Sequence, residues 1–142
     1  MPALEVVCAV AVKGDKVFLA KRKQGGPHGG LWEFPGGKIE LGEGPEAALK
    51  REIQEEHGTP ITILEKGLPV TDGRIELLPF RIHFQGIPEC LDAEDIGWFL
   101  FTDAEKLMMP PCDRRILLRL IQRETRYTAS HPPTKPKLEN PS

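Results

Sequence analysis

Three glutamates crowd the stretch Arg51-Glu52-Ile53-Gln54-Glu55-Glu56-His57-Gly58. At i, i+3 and i+4, Glu52, Glu55 and Glu56 share one face of any helix they occupy. Each like-charge pair at that spacing destabilises a helix by roughly 0.2–0.5 kcal/mol. All three also fall in the last two turns before Gly58, where the macrodipole disfavours anions. Arg51 precedes them and points about 100° away on an ideal helix, so it cannot screen all three. Two readings of such a helix stand open. One is a solvated acidic face, the ordinary meaning of a charge run. The other is a site for a hard divalent cation, because magnesium takes one or two carboxylates together with substrate phosphate oxygens.

The elements that must position these carboxylates are legible on either side. Gly44-Pro45 opens the helix, with proline at a first position that needs no N–H. Gly58 stands where a C′ glycine stops it. Upstream, "LEVVCAVAVK" (Leu4 to Lys13), a Gly14-Asp15 turn and "KVFLAKR" (Lys16 to Arg22) read as an antiparallel hairpin with at least one strand buried on both faces. "KQGGPHGG" (Lys23 to Gly30) is a loop, and "LWEF" (Leu31 to Phe34) a short strand ended by Pro35-Gly36-Gly37. Downstream, "ITILEKGL", "RIELLPFRIHF" and "IGWFLF" are three more strands, with Pro79 marking a bulge or an edge in the second. A helical turn covers Thr102 to Leu107. A last helix carries apolar residues at 116, 117, 118, 120 and 121. Strands first, one helix in the middle and one at the end predict an α+β or α/β/α layered domain with a mixed central sheet. A doubly wound fold is not favoured, because helices do not alternate with strands.

The chain has 142 residues, enough for one core, with 39% hydrophobic and 28% charged residues. We expect a single domain over 1–127, followed by a Pro-rich, apolar-poor and disordered tail over 128–142. A formal net charge of -2 argues against binding duplex nucleic acid. Cys8, Cys90 and Cys112 are an odd set without CxxC spacing, which suggests reduced thiols rather than a disulfide framework or zinc site. No signal-type segment or membrane-length apolar run is present, so a cytoplasmic protein is expected. The sequence leaves monomer and homodimer open.

Read from Gly37, the string "GKIELGEGPEAALKREIQEEHGT" resembles the signature of the Nudix hydrolases. That signature is Gly, five residues, Glu, seven residues, then Arg-Glu-aliphatic-any-Glu-Glu-any-Gly-aliphatic. Gly37, Glu43, Arg51, Glu52, Glu55, Glu56 and Gly58 match its fixed letters, and Ile53 fills the first aliphatic place. Chance agreement is on the order of 10⁻⁷ per start position. Thr59 departs from the pattern, standing where a bulky aliphatic is usual. Its expected effect is on packing, with a hydroxyl to satisfy. "LWEFPGGKIE", Lys21-Arg22 and "PPCD" before the last helix resemble the MutT-like branch, which includes 8-oxo-dGTP and CTP pyrophosphohydrolases. The resemblance runs over roughly Leu4 to Gln122 and implies an α/β/α sandwich.

It also implies roles. Glu52, Glu55 and Glu56 would hold Mg²⁺, or Mn²⁺ in its place, with the carbonyl of Gly36 contributing. Glu52 would take the proton of the attacking water. In some family members a loop carboxylate does so, and the candidates here are Glu94 and Asp95, either of which also suits an extra metal ligand. A solvated acidic loop is the alternative for both. Arg51 would brace the glutamates, while Arg22 and Lys38 would meet phosphates. Gly37 would give a sharp turn and Glu43 would anchor loop to helix. His28 is either a substrate contact or a solvated loop histidine. Asp113, ahead of the last helix, would accept a hydrogen bond from an exocyclic base amine, act as an N-cap, or both. Trp32 and Phe34 are expected on opposite sides of their strand, one lining the base pocket and one in the core. The implied partner is a nucleotide, and the implied reaction converts a (d)NTP to the monophosphate and pyrophosphate, in nucleotide-pool cleansing. The alternatives are a 5′-triphosphate RNA hydrolase and a non-catalytic nucleotide-binding module.

Overall fold

A computed structural model describes residues 3–131. Its centre is strand β1 (Leu4–Lys13), whose apolar run is buried on both faces. Alternation sends Val7, Ala9 and Ala11 to one side and Cys8 and Val10 to the other. Gly14, at φ 63°, turns the chain into β2 (Lys16–Lys21), which pairs antiparallel with β1. The short β3 (Trp32–Glu33) adds to β2. Gly36–Lys38 is itself a strand, β4, antiparallel to β1. Pro35-Gly36-Gly37 therefore does not end the extended chain but moves it from β2 to β1. Gly36 is needed for that crossing, since a Cβ there would lie 1.9 Å from the Val7 carbonyl oxygen.

Helix α1 (Pro45–His57) follows, then β5 (Ile61–Lys66), β6 (Val70–Asp72), β7 (Ile75–Phe84), β8 (Asp95–Leu100), α2 (Phe101–Ala104) and α3 (Pro111–Ser130). β7 runs parallel to β1 over eight residue pairs, while β5 and β6 lie antiparallel along its other side. β8 covers the free side of β2. The sheet is mixed, as expected.

Pro79 corrects one expectation, for β7 is an interior strand. The irregularity falls on its partner, between Ile63 and Glu65 of β5. The Pro79 carbonyl accepts from Gly67 N–H at 2.8 Å, so the missing proline donor faces the gap between β5 and β6. β6 is a strand the sequence reading omitted.

The two long helices, α1 and α3, cover opposite faces. α1 brings Ala48, Leu49 and Ile53, all 0% exposed, onto Val7, Ala9, Phe80, Ile82 and Phe84. α3 brings Ile116, Leu117 and Leu120 onto Cys8, Val10, Val17, Leu19 and Leu77. Truncating a residue such as Ile53 to alanine costs about 2–5 kcal/mol in such a core. α3 continues through Thr128 to Ser130, three residues into the expected tail, and 132–142 lie outside the described residues. All three cysteines are free thiols. Among the described residues no helix is long and apolar enough to cross a membrane.

Candidate active site

α1 ends as its sequence dictates. Gly58 adopts φ 67° and donates its N–H to the Gln54 carbonyl at 3.1 Å. Ile53, buried on the sheet, fixes the helix rotation and turns Glu52 and Glu56 toward a cleft of about 680 Å³. Glu52 and Glu56 lie within hydrogen-bond reach of each other. Burial first, and the Glu52 charge second, push the Glu56 carboxyl up to about 9, with Glu33 and Asp92 adding to the effect.

Arg51 reaches two of the three glutamates, and Glu43 besides. Its Nε and Nη2 grip both oxygens of Glu43, at 2.7 and 3.0 Å, and Nη1 donates to Glu52 at 3.2 Å and Glu55 at 3.3 Å. Nη2 also bonds the Lys38 carbonyl at 3.2 Å. The bond to Glu43 is the main reason that the Arg51 pKa rises, and the same bond lowers that of Glu43. Glu43 also accepts from the Glu40 N–H, so it ties the β4–α1 loop to the helix. Glu55 is turned outward onto Arg51, with its side chain 60% exposed.

The two glycines of β4 admit the acidic pair. A Cβ on Gly37 would stand 2.3 Å from the Glu52 carboxyl carbon, so that carboxylate rests on bare backbone. In the β1–β4 ladder Pro35 and Ile39 bond to Ala9 and Glu5, which leaves the carbonyls of Gly36 and Lys38 on the outer side of the strand. Lys38 gives its carbonyl to Arg51, and that of Gly36 lies along the same edge. The residues that could hold a cation here are oxygen donors: Glu52 and Glu56 on the cleft and the Gly36 carbonyl, with Glu55 turned onto Arg51. Among the described residues no three acidic, histidine or cysteine side chains close into a metal cage. An open pair of carboxylates, completed by substrate phosphates, is the arrangement Mg²⁺ or Mn²⁺ prefers.

The remaining wall of the cleft includes Arg22, Lys38, His28, Phe34 and Asp113. Arg22 donates to Glu33 at 3.1 Å, and Lys38 is exposed at the rim. His28 is exposed with φ 63°, a loop conformation rare for a residue with a side chain. Asp113 is 6% exposed and accepts the Phe34 N–H at 3.0 Å. It lies in the first turn of α3 and is not its N-cap, which is Pro110. Burial, then the neighbouring Glu33 charge, pushes Asp113 up to about 7. Trp32 and Phe34 do not face opposite ways. Residues two apart share a strand face, and both pack on the α3-side cluster.

Glu94 and Asp95 lie off the cleft. Glu94 pairs with Lys21 at 3.1 Å, and Asp95 accepts the Ile96 N–H. Asp92 lines the cleft instead, with Lys23 as its partner at 3.2 Å. The signal for it was the same acidic string, "DAED". Asp95 is already in register with Lys21, so strand pairing directs the later two acids away. Glu33, half-buried beneath Arg22, also lines the cleft, with partial burial raising its pKa; the sequence reading passed it over. The departure at Thr59 is absorbed locally. Its hydroxyl donates to the Pro60 carbonyl at 3.0 Å and accepts from Gly86 N–H at 2.8 Å.

This fold and acidic pair define a family. Residues 1–120 match the NUDIX domain, and the chain belongs to that family. It is a Nudix hydrolase of the MutT-like branch. It is similar to the CTP pyrophosphohydrolase of Escherichia coli K12, at 43% identity over 125 residues, covering 82% of this chain and 90% of that protein. It is also similar to the 8-oxo-dGTP diphosphatase of the same organism, at 30% identity over 113 residues, covering 76% of this chain and 88% of that protein. Among solved structures, that of the E. coli ORF135 protein superposes with a TM-score of 0.79 at 28% identity, covering 94% and 96% of the two chains.

Proposed function

We propose that the protein is a Mg²⁺-dependent nucleoside triphosphate pyrophosphohydrolase, with Mn²⁺ as substitute. It converts a (d)NTP and water to the (d)NMP and pyrophosphate and serves to cleanse the nucleotide pool of 8-oxo-dGTP or modified pyrimidine dNTPs. The observation that carries this reading is the division of one cleft. Glu52 and Glu56, within hydrogen-bond reach of each other, line it beside an outward carbonyl of β4, while the buried Asp113 and Phe34 line it elsewhere. The names of the E. coli relatives support the same substrate class.

Glu52, Glu56 and the Gly36 carbonyl would hold the cation. When bound, it supplies charge neutralisation for the polyphosphate and a more acidic water. The chain's residues do the rest. Arg51 fixes the Glu52 carboxylate against Gly37, so that it accepts the water proton as the water oxygen bonds to phosphorus and a bridging P–O bond breaks. Arg22 and Lys38 receive phosphate oxygens at the rim. The ionised Asp113 accepts from an amine on the base. Asp92 takes the place expected of Glu94 or Asp95 as the loop carboxylate.

The test is release of pyrophosphate, resolved from orthophosphate, from 8-oxo-dGTP, dGTP, dCTP, CTP and a 5′-triphosphate RNA, with Mg²⁺ and with EDTA. The wild type should release pyrophosphate from a mononucleotide only with Mg²⁺, and Glu52→Gln should not. Undiminished release by Glu52→Gln would remove the catalytic assignment.

A further inference from the structure

His57 follows the two acidic residues directly, and the chemistry above gives it no part. It is 1% exposed, with its ring edge-on to Phe18 at 5.4 Å between centroids. Its Nδ1 lies 2.8 Å from the Glu89 carbonyl oxygen. A carbonyl only accepts, so Nδ1 carries the proton and donates. The same loop returns two bonds to the end of α1. Glu89 N–H donates to the His57 carbonyl at 2.9 Å, and Leu91 N–H to the Glu56 carbonyl at 3.1 Å. Those carbonyls are among the four that a helix end leaves without partners. On the far side of the loop, Glu94 N–H donates to the Lys21 carbonyl at 2.9 Å. Asp92 and Ala93, both in the cleft wall, are thus bracketed between two fixed points. The fit is close, since a Cβ on Gly58 would come within 3.1 Å of both the Glu89 and Leu91 side chains.

We infer that His57 is a positioning residue: its Nδ1–H bond to the Glu89 carbonyl docks the 85–94 loop on the end of the catalytic helix and so sets Asp92 beside Glu56 in the cleft. It is the side-chain member of a clamp whose other bonds are backbone. Replacing it leaves those bonds possible but strands the Glu89 carbonyl, and the loop loses its register. The inference rests on the reading that hydrolysis takes place at Glu52 and Glu56.

Two measurements test it. The first is amide hydrogen exchange in the metal-free protein with EDTA. In His57→Leu, Glu89 and Leu91 amides should exchange about tenfold faster, as loss of one buried hydrogen bond dictates. In His57→Asn, whose side-chain N–H can replace Nδ1–H, they should stay within about threefold of wild type. The second is a cycle on turnover of the best nucleotide. His57→Leu and Asp92→Asn should each lower kcat about tenfold with KM little changed, and the double variant should fall no further than Asp92→Asn alone. His57→Asn should restore kcat. Exchange unaltered by His57→Leu, a wild-type kcat in Asp92→Asn, or full multiplication of the two losses would overturn the assignment. The exchange arm needs no substrate, so its failure is distinguishable from failure of the pyrophosphohydrolase reading.

Discussion

Glu56→Gln should make the metal-free protein more stable while removing its activity, and the gain should grow with pH. In the fold the Glu56 carboxyl is pushed up to about 9 from an ordinary 4.5, by burial and then by Glu52. The folded protein therefore keeps a proton that the unfolded chain releases above pH 4.5. A group of this kind withdraws stability as pH rises from about 4.5 to 9, and adds no further change beyond. Between pH 5 and pH 8 the ceiling is roughly 4 kcal/mol, at ~1.4 kcal/mol per pH unit. Water entry and relaxation around a group that is not fully enclosed reduce this to about 1–2 kcal/mol. For a domain of this size that corresponds to about 4–8 °C in Tm. Glutamine donates to Glu52 as the protonated acid does, and has nothing to titrate. Thermal melts of both proteins in EDTA at pH 5, 6, 7 and 8 are the assay. The two should melt together near pH 5, with Glu56→Gln ahead by several degrees at pH 8. A constant difference, or one that shrinks as pH rises, would refute the reasoning.

Three further outcomes follow from individual contacts. Gly37→Ala puts a methyl where the Glu52 carboxyl lies, 2.3 Å away, and should lower kcat about 100-fold, the usual consequence of displacing a reacting group by an ångström; steady-state kinetics beside a melt separates this from unfolding. Arg51→Lys exchanges a fork bonded to Glu43, Glu52 and Glu55 for a point charge, and should lower kcat by about 10- to 100-fold with smaller change in nucleotide KM. Asp113, pushed up to about 7, should make kcat/KM for an amine-bearing base rise as pH passes 7, because the ionised form is the acceptor; Asp113→Asn should flatten that limb of the profile.

The carboxylate spacing, the bounds of α1 and its stop at Gly58 were legible because they are local: 3.6-residue periodicity, a proline start and a glycine stop. So was the layered mixed sheet, whose strands carry strong apolar runs. What escaped notice depended on distant partners. Gly36–Lys38 is a strand only because β1 lies beside it, and Val70–Asp72 only because β7 does. Arg51 folds back over Glu52 and Glu55, two of the three glutamates, through contacts that depend on its side-chain rotamer rather than on sequence spacing. Asp92, rather than its neighbours Glu94 and Asp95, reaches the cleft because the pairing of β8 with β2 begins at Asp95. The expected separation of Trp32 from Phe34 misapplied the two-residue strand period.

The most direct test of the account is Mn²⁺ binding to the nucleotide-free protein, read by the electron paramagnetic resonance of the free ion. Wild type and Glu46→Gln, altered in the exposed first turn of α1, should bind alike, whereas Glu52→Gln and Glu56→Gln should each lose most of the affinity. Equal binding by all four proteins would contradict the assignment of the acidic pair as the cation site.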